Sequence, residues 1–149
     1  MTPSSEGQPS DQPSQAQINA HVIEQFRAGG EVDGMHRDRL VLLTTTGRSS
    51  GEERTAPMMF HVDPGPPARH VVIASNMGAP QDPGWYLNLV ADPQVHVELA
   101  DEEFDATAVV LEGDEYDRLW ADITAANPFF LDHQAKTDRT IPLVALERR

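Results

Sequence analysis

The residues best suited to chemistry lie in a short turn rich in glycine and serine, Gly47-Arg48-Ser49-Ser50-Gly51, with Arg54 just after it. Glycine lets a backbone approach a ligand closely, and serine hydroxyls donate hydrogen bonds to oxyanions. A guanidinium group holds a phosphate or carboxylate through two parallel hydrogen bonds. The turn therefore predicts a clamp for an anionic ligand, although the same composition also suits an ordinary exposed turn.

The charge of the whole chain favours the clamp. The 149 residues include 11 Lys and Arg against 24 Asp and Glu, which gives a formal net charge of −13. Two arginines beside one turn are therefore a local exception. The same acidity argues against nonspecific binding of nucleic acid.

A second candidate contact segment is Ser75-Asn76-Met77-Gly78-Ala79, which directly follows an apolar run. Backbone amides and a hydroxyl at the end of a strand are a common place for ligand contacts, although Asn and Gly also simply end strands. Further along, Asn88 lies among apolar residues. Its amide needs a partner, which is either protein backbone or a ligand.

Several other kinds of site are excluded by the sequence. Cysteine is absent, so thiol catalysis and disulfides are excluded. No HExxH motif, EF-hand loop or Walker-type phosphate loop occurs, and the six histidines are scattered, so no metal site is expected. No nucleophile is paired with a base. We therefore expect the chemistry to come from a bound organic cofactor that the protein holds and orients.

The elements that must position these residues are mainly strands. β-branched and apolar residues at 40–46 and an extended run at 54–62 predict a hairpin with the clamp at its tip. Further strands are predicted at 69–75, 95–99 and 104–110, and a closing strand at 140–147. Because proline lacks a ladder N–H, Pro142 predicts an edge or a bulge there.

Helices are predicted between and around these strands. One begins at Ser14 and ends at Gly29-Gly30, and another runs over 82–90 with Asp82 as its N-cap and Pro83 in the first helical position. A third begins at Asp114, and a brief helical turn follows Pro128. Six strands without a βαβ rhythm predict a mainly β, antiparallel barrel with flanking helices.

Length and composition predict one domain, residues 14–149, preceded by a disordered tail at 1–13 that is rich in Ser, Pro and Gln. No run approaches the roughly 20 apolar residues that a membrane span needs, and no signal-peptide pattern is present. We therefore expect a cytoplasmic protein.

Taken together, these segments resemble the F420-dependent nitroreductase and F420H2-dependent quinone reductase family of actinobacteria. The matching pieces are LLTTTGRSSGEERTAPMMF at 42–60, VVIASNMGAP at 71–80, DPGWYLNLVADPQVHVEL at 82–99 and HQAKTDRTIPLVALER at 133–148. The resemblance implies a split β-barrel of the FMN-binding type that holds the deazaflavin coenzyme F420.

The resemblance also implies roles for individual residues. The phosphate and acidic tail of the coenzyme would be held by Gly47, Arg48, Ser49, Ser50, Gly51 and Arg54. The deazaflavin ring would be lined by Ala74, Ser75, Asn76, Met77, Gly78, Trp85, Tyr86 and Asn88. Ser75 would act as the catalytic residue by hydrogen bonding near the reacting end of the ring or substrate.

The implied reaction is hydride transfer from the reduced deazaflavin to a small electron-poor acceptor such as a quinone, an activated enone or a nitroaromatic. The substrate side would include Met59, Asn127, Phe130 and His133, in a region where relatives often have tyrosines. Many relatives also have lysine in place of Ser49. Loss of phenolic hydroxyls removes hydrogen-bond donors to the acceptor.

Two alternatives remain open from the sequence: an FMN-dependent reductase on the same barrel, and a non-enzymatic carrier of F420 or of a hydrophobic ligand. Access to membrane quinones without an integral membrane segment, and assembly as a homodimer, are compatible with the family resemblance.

Overall fold

The computed structural model describes residues 15–32 and 37–149. The predicted tail therefore lies outside the described residues. In those ranges the helices are α1 (Gln15–Arg27), α2 (Gly84–Ala91), α3 (Gly113–Ala126) and α4 (Phe129–Ala135). The strands are β1 (Leu40–Thr46), β2 (Glu53–Asp63), β3 (Arg69–Ile73), β4 (Gln94–Glu98), β5 (Glu103–Val110) and β6 (Leu143–Arg148).

All six strands form one closed antiparallel barrel in the order β1-β2-β3-β6-β5-β4, and β4 pairs back to β1. The β1–β2 hairpin pairs Leu43 with Ala56 and Thr46 with Glu53, which brings the predicted clamp to the rim of the barrel. The predicted antiparallel barrel with flanking helices is confirmed.

Two apolar layers explain why β1 begins with four consecutive buried residues. Val41 and Leu43 lie in the barrel core, whereas Leu40 and Leu42 pack outside it against a cluster that includes Phe26 of α1. Burial on both faces replaces the alternation expected of a half-exposed strand. On another side of the barrel, α3 and α4 pack against β3 and β6 through residues that include Leu119, Ile123 and Phe130.

Two local predictions are wrong. Asp82 does not cap α2, because its carboxylate accepts a hydrogen bond from Arg139 and the helix begins at Gly84 after Pro83. Pro142 marks neither an edge nor a bulge, because β6 begins one residue later and the barrel is closed. The carbonyl of Pro142 instead accepts the N–H of Ala74 at 3.0 Å.

Among the residues with described structure, no helix combines the length and apolarity needed to cross a membrane.

Candidate functional site

A cavity of about 890 Å³ opens where the β1–β2 hairpin, the start of α2, and α4 meet. We call residues 47–51 the clamp turn and residues 74–82, between β3 and α2, the Ser75 loop. Both line the cavity. Its wall includes these residues predicted from the sequence: Gly47, Arg48, Ser49, Ser50, Arg54, Met59, Ser75, Asn76, Met77, Trp85, Asn88, Phe130 and His133.

Five predicted site residues do not line the cavity: Gly51, Ala74, Gly78, Tyr86 and Asn127. Ala74 is fully buried at the start of the Ser75 loop. Asn127 ends α3, where its carbonyl accepts the N–H of Phe130 at 3.2 Å. Gly78 is packed so closely that a Cβ would lie 2.8 Å from the carbonyl oxygen of His133. Ala74 and Gly78 are thus buried, whereas Gly51 is exposed on the clamp turn and Tyr86 packs partly buried against the barrel core.

The clamp turn is closed by its own hydrogen bonds. The N–H of Gly47 donates to the carbonyl of Glu52 at 2.7 Å, and the N–H of Gly51 donates to the carbonyl of Gly47 at 2.8 Å. A Cβ at Gly47 would lie 2.7 Å from Ser50 Oγ, so only glycine fits there without displacement. The predicted turn is therefore tight, and its position on the rim follows from the hairpin.

Asn88 fastens the clamp turn to α2. Its Oδ1 accepts from Arg48 Nη1 at 2.8 Å and from the Arg48 backbone N–H at 3.2 Å. Its Nδ2 donates to Thr45 Oγ1 at 3.1 Å. The partner of this buried amide is thus a side chain and a backbone N–H of the clamp region, and Arg48 is oriented before any ligand arrives.

Arg54 is held more loosely than Arg48. Its side chain is 61% exposed, and its nearest acidic partner is Glu52, with Nη2 and Oε1 3.7 Å apart. Such an exposed pair contributes little and leaves the guanidinium able to turn toward an anion. The clamp therefore combines an oriented cation with an adaptable one.

The Ser75 loop forms the facing wall. Ser75 is 8% exposed, and within the described part of the chain its hydroxyl has no hydrogen-bond partner. The next two residues, Asn76 and Met77, have φ values of 47° and 55°, a left-handed conformation unusual for residues other than glycine. Ser75, Asn76 and Met77 all line the cavity.

α4 completes the site with aromatic and imidazole rings. Phe130 is buried, and His133 lies edge-on to it with ring centroids 5.7 Å apart. His133 Nδ1 is buried without a hydrogen-bond partner among the described residues. Burial, and then the charge of Lys136, lower the pKa of His133 from its ordinary value of 6.5. The ring is therefore neutral at pH 7, with Nε2 as the nitrogen that can meet a ligand.

Arg139, which was not predicted as a site residue, holds the Ser75 loop through several hydrogen bonds. It lies within a segment that supports the family resemblance, but its local sequence gives no indication of a partner more than 50 positions away.

The cavity has a cationic part and an apolar part, which fits a coenzyme with an anionic tail and a flat ring. The clamp turn and Arg54 make one end cationic, whereas Pro57, Met58, Ile73 and Trp85 supply apolar surface elsewhere. The volume falls within the usual range of roughly 300–1,000 Å³ for ligand sites.

The sequence profile of the F420H(2)-dependent quinone reductase family matches residues 16–148. The chain belongs to this family. An F420H(2)-dependent quinone reductase from Mycobacterium tuberculosis is 34% identical over an alignment of 112 residues that covers 73% of this chain and 73% of the relative. The family resemblance stated from the sequence is thereby confirmed.

Solved structures agree. One of an F420-H2 dependent reductase is 38% identical, with a TM-score of 0.66, and covers 76% of this chain and 100% of that chain. Another, described as a domain-swapped dimer, is 38% identical, with a TM-score of 0.68, and covers 84% of this chain and 93% of that chain. A heme storage protein from Vibrio cholerae, 16% identical with a TM-score of 0.54 over 85% of this chain and 87% of its own, shows the fold alone.

Membership of the F420H2-dependent quinone reductase family confirms three expectations: the split-barrel fold, an oxidoreductase activity, and coenzyme F420 as the cofactor. It favours these over the FMN-dependent and non-enzymatic alternatives. The roles of individual site residues stay predictions.

Proposed function

We propose that this protein uses F420H2 to reduce small quinone-like acceptors in the cavity between the clamp turn and α4. One observation supports this most directly. The cavity combines cationic groups with apolar surface and with two side chains, Ser75 and His133, that can donate hydrogen bonds. When bound, the reduced deazaflavin supplies the hydride. The acceptor gains two electrons as hydride and takes one proton from water, so a quinone becomes a hydroquinone.

The clamp residues would hold the anionic tail of the coenzyme. Arg48, Arg54 and the hydroxyls of Ser49 and Ser50 are the cationic and donor groups at that end of the cavity. Charged hydrogen bonds of this kind are stronger than neutral ones. Because Asn88 already orients Arg48, less conformational freedom is lost on binding.

Ser75 and His133 would position the acceptor. Both line the cavity, and both offer a group that can donate to an oxygen on which negative charge develops. Met59 and Phe130 supply apolar surface beside them. Asn127 does not reach the cavity, so we propose that it acts only by ending α3 beside Phe130.

Coenzyme titration followed by acceptor screening tests this function. Oxidised F420 and FMN are each titrated while tryptophan fluorescence is followed, since Trp85 lines the cavity. Oxidation of F420H2 is then followed with quinone, enone and nitroaromatic panels. We expect F420 to bind more tightly than FMN and quinones to consume F420H2. Tight F420 binding without turnover of any acceptor would instead indicate a carrier.

Ser75→Ala separates catalysis from binding. Loss of one hydrogen bond of about 0.5–1.5 kcal/mol predicts a kcat about 2- to 12-fold lower, with an unchanged coenzyme Kd. An equal loss in kcat and coenzyme affinity would make Ser75 a cofactor contact only.

The expected cytoplasmic location and homodimer stay predictions; a homologous structure 38% identical to this chain is described as a domain-swapped dimer.

A further inference from the structure

The Ser75 loop is held by one side chain from the other end of the chain. Arg139 lies between α4 and β6, and its side chain is 15% exposed. Its Nη2 donates to the carbonyl of Ser75 at 2.8 Å, and its Nη1 donates to the carbonyl of Ala74 at 3.2 Å. Its Nε donates to the carbonyl of Ala79 at 3.0 Å, and Nη1 also reaches Asp82 Oδ1 at 2.9 Å. A single guanidinium thus bonds both ends of the loop.

The loop needs such external support because its backbone is unfavourable. Asn76, Met77 and Gly78 are consecutive residues with positive φ, of 47°, 55° and 83°. Left-handed backbone is disfavoured for residues with a side chain. Met77 is 75% exposed, so its packing does not hold the conformation. Two hydrogen bonds within the loop close its turn, from the N–H of Gly78 to the carbonyl of Ser75 at 2.9 Å and from the N–H of Ala79 to the carbonyl of Asn76 at 3.0 Å. The hydrogen bonds from Arg139 add a restraint from outside the loop, at Ala74, Ser75 and Ala79.

Arg139 is itself fixed to α4. Gln134 of α4 donates through Nε2 to the carbonyl of Arg139 at 2.7 Å and accepts the N–H of Ile141 at 3.0 Å. The same helix contributes Phe130 and His133 to the cavity. Arg139 thus joins the loop of Ser75 to the helix of His133, although Arg139 does not line the cavity itself.

We propose that Arg139 is a positioning residue that fixes the Ser75 hydroxyl relative to α4. Its effect on turnover rests on the proposed function, because it acts through Ser75 on the acceptor. Its side-chain hydrogen bonds go to Ala74, Ser75, Ala79 and Asp82 and not to the clamp turn, so coenzyme affinity should depend on it only weakly.

Arg139→Gln and Arg139→Lys test the proposal against a matched control, Arg69→Gln. Arg69 is equally buried, with 14% side-chain exposure, and bonds Asp63, Glu115 and Glu147. None of these groups lines the cavity. Both arginines stabilise the fold, so Tm should fall in both Gln variants. Hydrogen exchange of the segment 74–82 is then measured in the free protein, together with kcat, KM and the Kd of F420.

We expect Arg139→Gln to speed hydrogen exchange in the Ser75 loop at least tenfold and to lower kcat more than twofold but no further than Ser75→Ala does, with the F420 Kd changed less than threefold. Arg69→Gln should leave loop exchange and kcat within twofold of the wild type. The proposal would be overturned if Arg139→Gln had the same kcat and the same hydrogen-exchange rate in the Ser75 loop as Arg69→Gln. Should Arg139→Gln not fold, Arg139→Lys decides by the same comparison, because its ammonium cannot span four acceptors.

A double variant tests whether Arg139 acts through Ser75. If it does, adding Arg139→Gln to Ser75→Ala lowers kcat no more than twofold further. If the kcat of the double variant falls by the product of the two single-variant decreases, Arg139 does not act through Ser75. If none of the tested acceptors is reduced by F420H2 in the presence of the wild type, the proposed function fails. Hydrogen exchange of the loop then still decides whether Arg139 positions it.

Discussion

Arg48 Nη1 donates to Asn88 Oδ1 at 2.8 Å, the shortest of the hydrogen bonds from Arg48 that join the clamp turn to α2. The same oxygen accepts the backbone N–H of Arg48, and the amide nitrogen of Asn88 donates to buried Thr45. Because Asn88 belongs to α2 and is itself tied to Thr45 of β1, the direction of the guanidinium is set by the fold. We therefore expect Asn88 to act on the coenzyme through Arg48.

Asn88→Ala should weaken F420 binding. Among the described residues, the variant leaves the Arg48 side chain with only the carbonyl of Gly84, 3.4 Å from Nη1, so more of its ordering must come from the ligand. In Arg48→Ala the loss of one charged hydrogen bond, worth about 1.5–3 kcal/mol, predicts a roughly 10- to 150-fold higher Kd for F420. We expect Asn88→Ala to raise the Kd by up to the same factor. Kd is measured by tryptophan quenching and checked by calorimetry.

The double variant of Asn88 and Arg48 provides the control. If Asn88 acts through Arg48, the double variant binds no more weakly than Arg48→Ala alone. Independent, additive losses would show instead that Asn88 touches the coenzyme directly.

Much of the barrel was predictable because its signals are local. The apolar run of β1, the alternation of β4 and β5, and the glycine-serine tip of the hairpin each reflect neighbouring residues. The errors arose where a distant group competes. Asp82 precedes proline as an N-cap does, but Arg139, 57 positions away, takes its carboxylate.

The site was predictable to the same degree. The clamp and Ser75 follow from residue chemistry and the family resemblance, and the cavity brings them together. The partners of Asn88 and the role of Arg139 depend on pairs 40 or more positions apart, which no local pattern specifies.

Glu52 should oppose coenzyme binding through Arg54. Their side chains lie 3.7 Å apart and both are largely exposed. Glu52→Gln removes the competing carboxylate, so F420 affinity should rise a few-fold, most clearly at low ionic strength where screening is weak. Arg54→Gln should lower affinity and reduce its dependence on salt. Titrations at low and high salt measure both effects, and a weaker affinity in Glu52→Gln would exclude this arrangement.

His133→Phe should raise the KM of the acceptor without changing the coenzyme Kd. The phenyl ring keeps the packing against Phe129 and Phe130 but cannot form a hydrogen bond. Loss of one neutral hydrogen bond to the acceptor predicts a KM that is about 2- to 12-fold higher. The variant also removes a buried nitrogen that has no partner among the described residues, so the free energy of unfolding should not fall. An unchanged KM would remove His133 from the acceptor site.

His96 should make stability depend on pH in the opposite sense to His133. Hydrogen bonds from its ring to Asp105 and then Glu103, each 2.8 Å long, raise the pKa of His96 above 6.5. The folded state therefore binds the proton more tightly than the unfolded state. This stabilisation is complete below pH 6.5 and is lost as pH rises through the folded pKa.

The measurement is urea unfolding of the wild type and His96→Gln at pH 5.5 and 8.5. Because the pKa values of His70 and His133 are lowered by burial and change stability in the other direction, only the difference between the two proteins is informative. We expect the wild type to exceed the variant by more at pH 5.5 than at pH 8.5. The ring is 36% exposed, so the difference should be small and should shrink further in salt. An advantage that is equal at both pH values, or larger at pH 8.5, would show that the carboxylates do not hold a protonated imidazole.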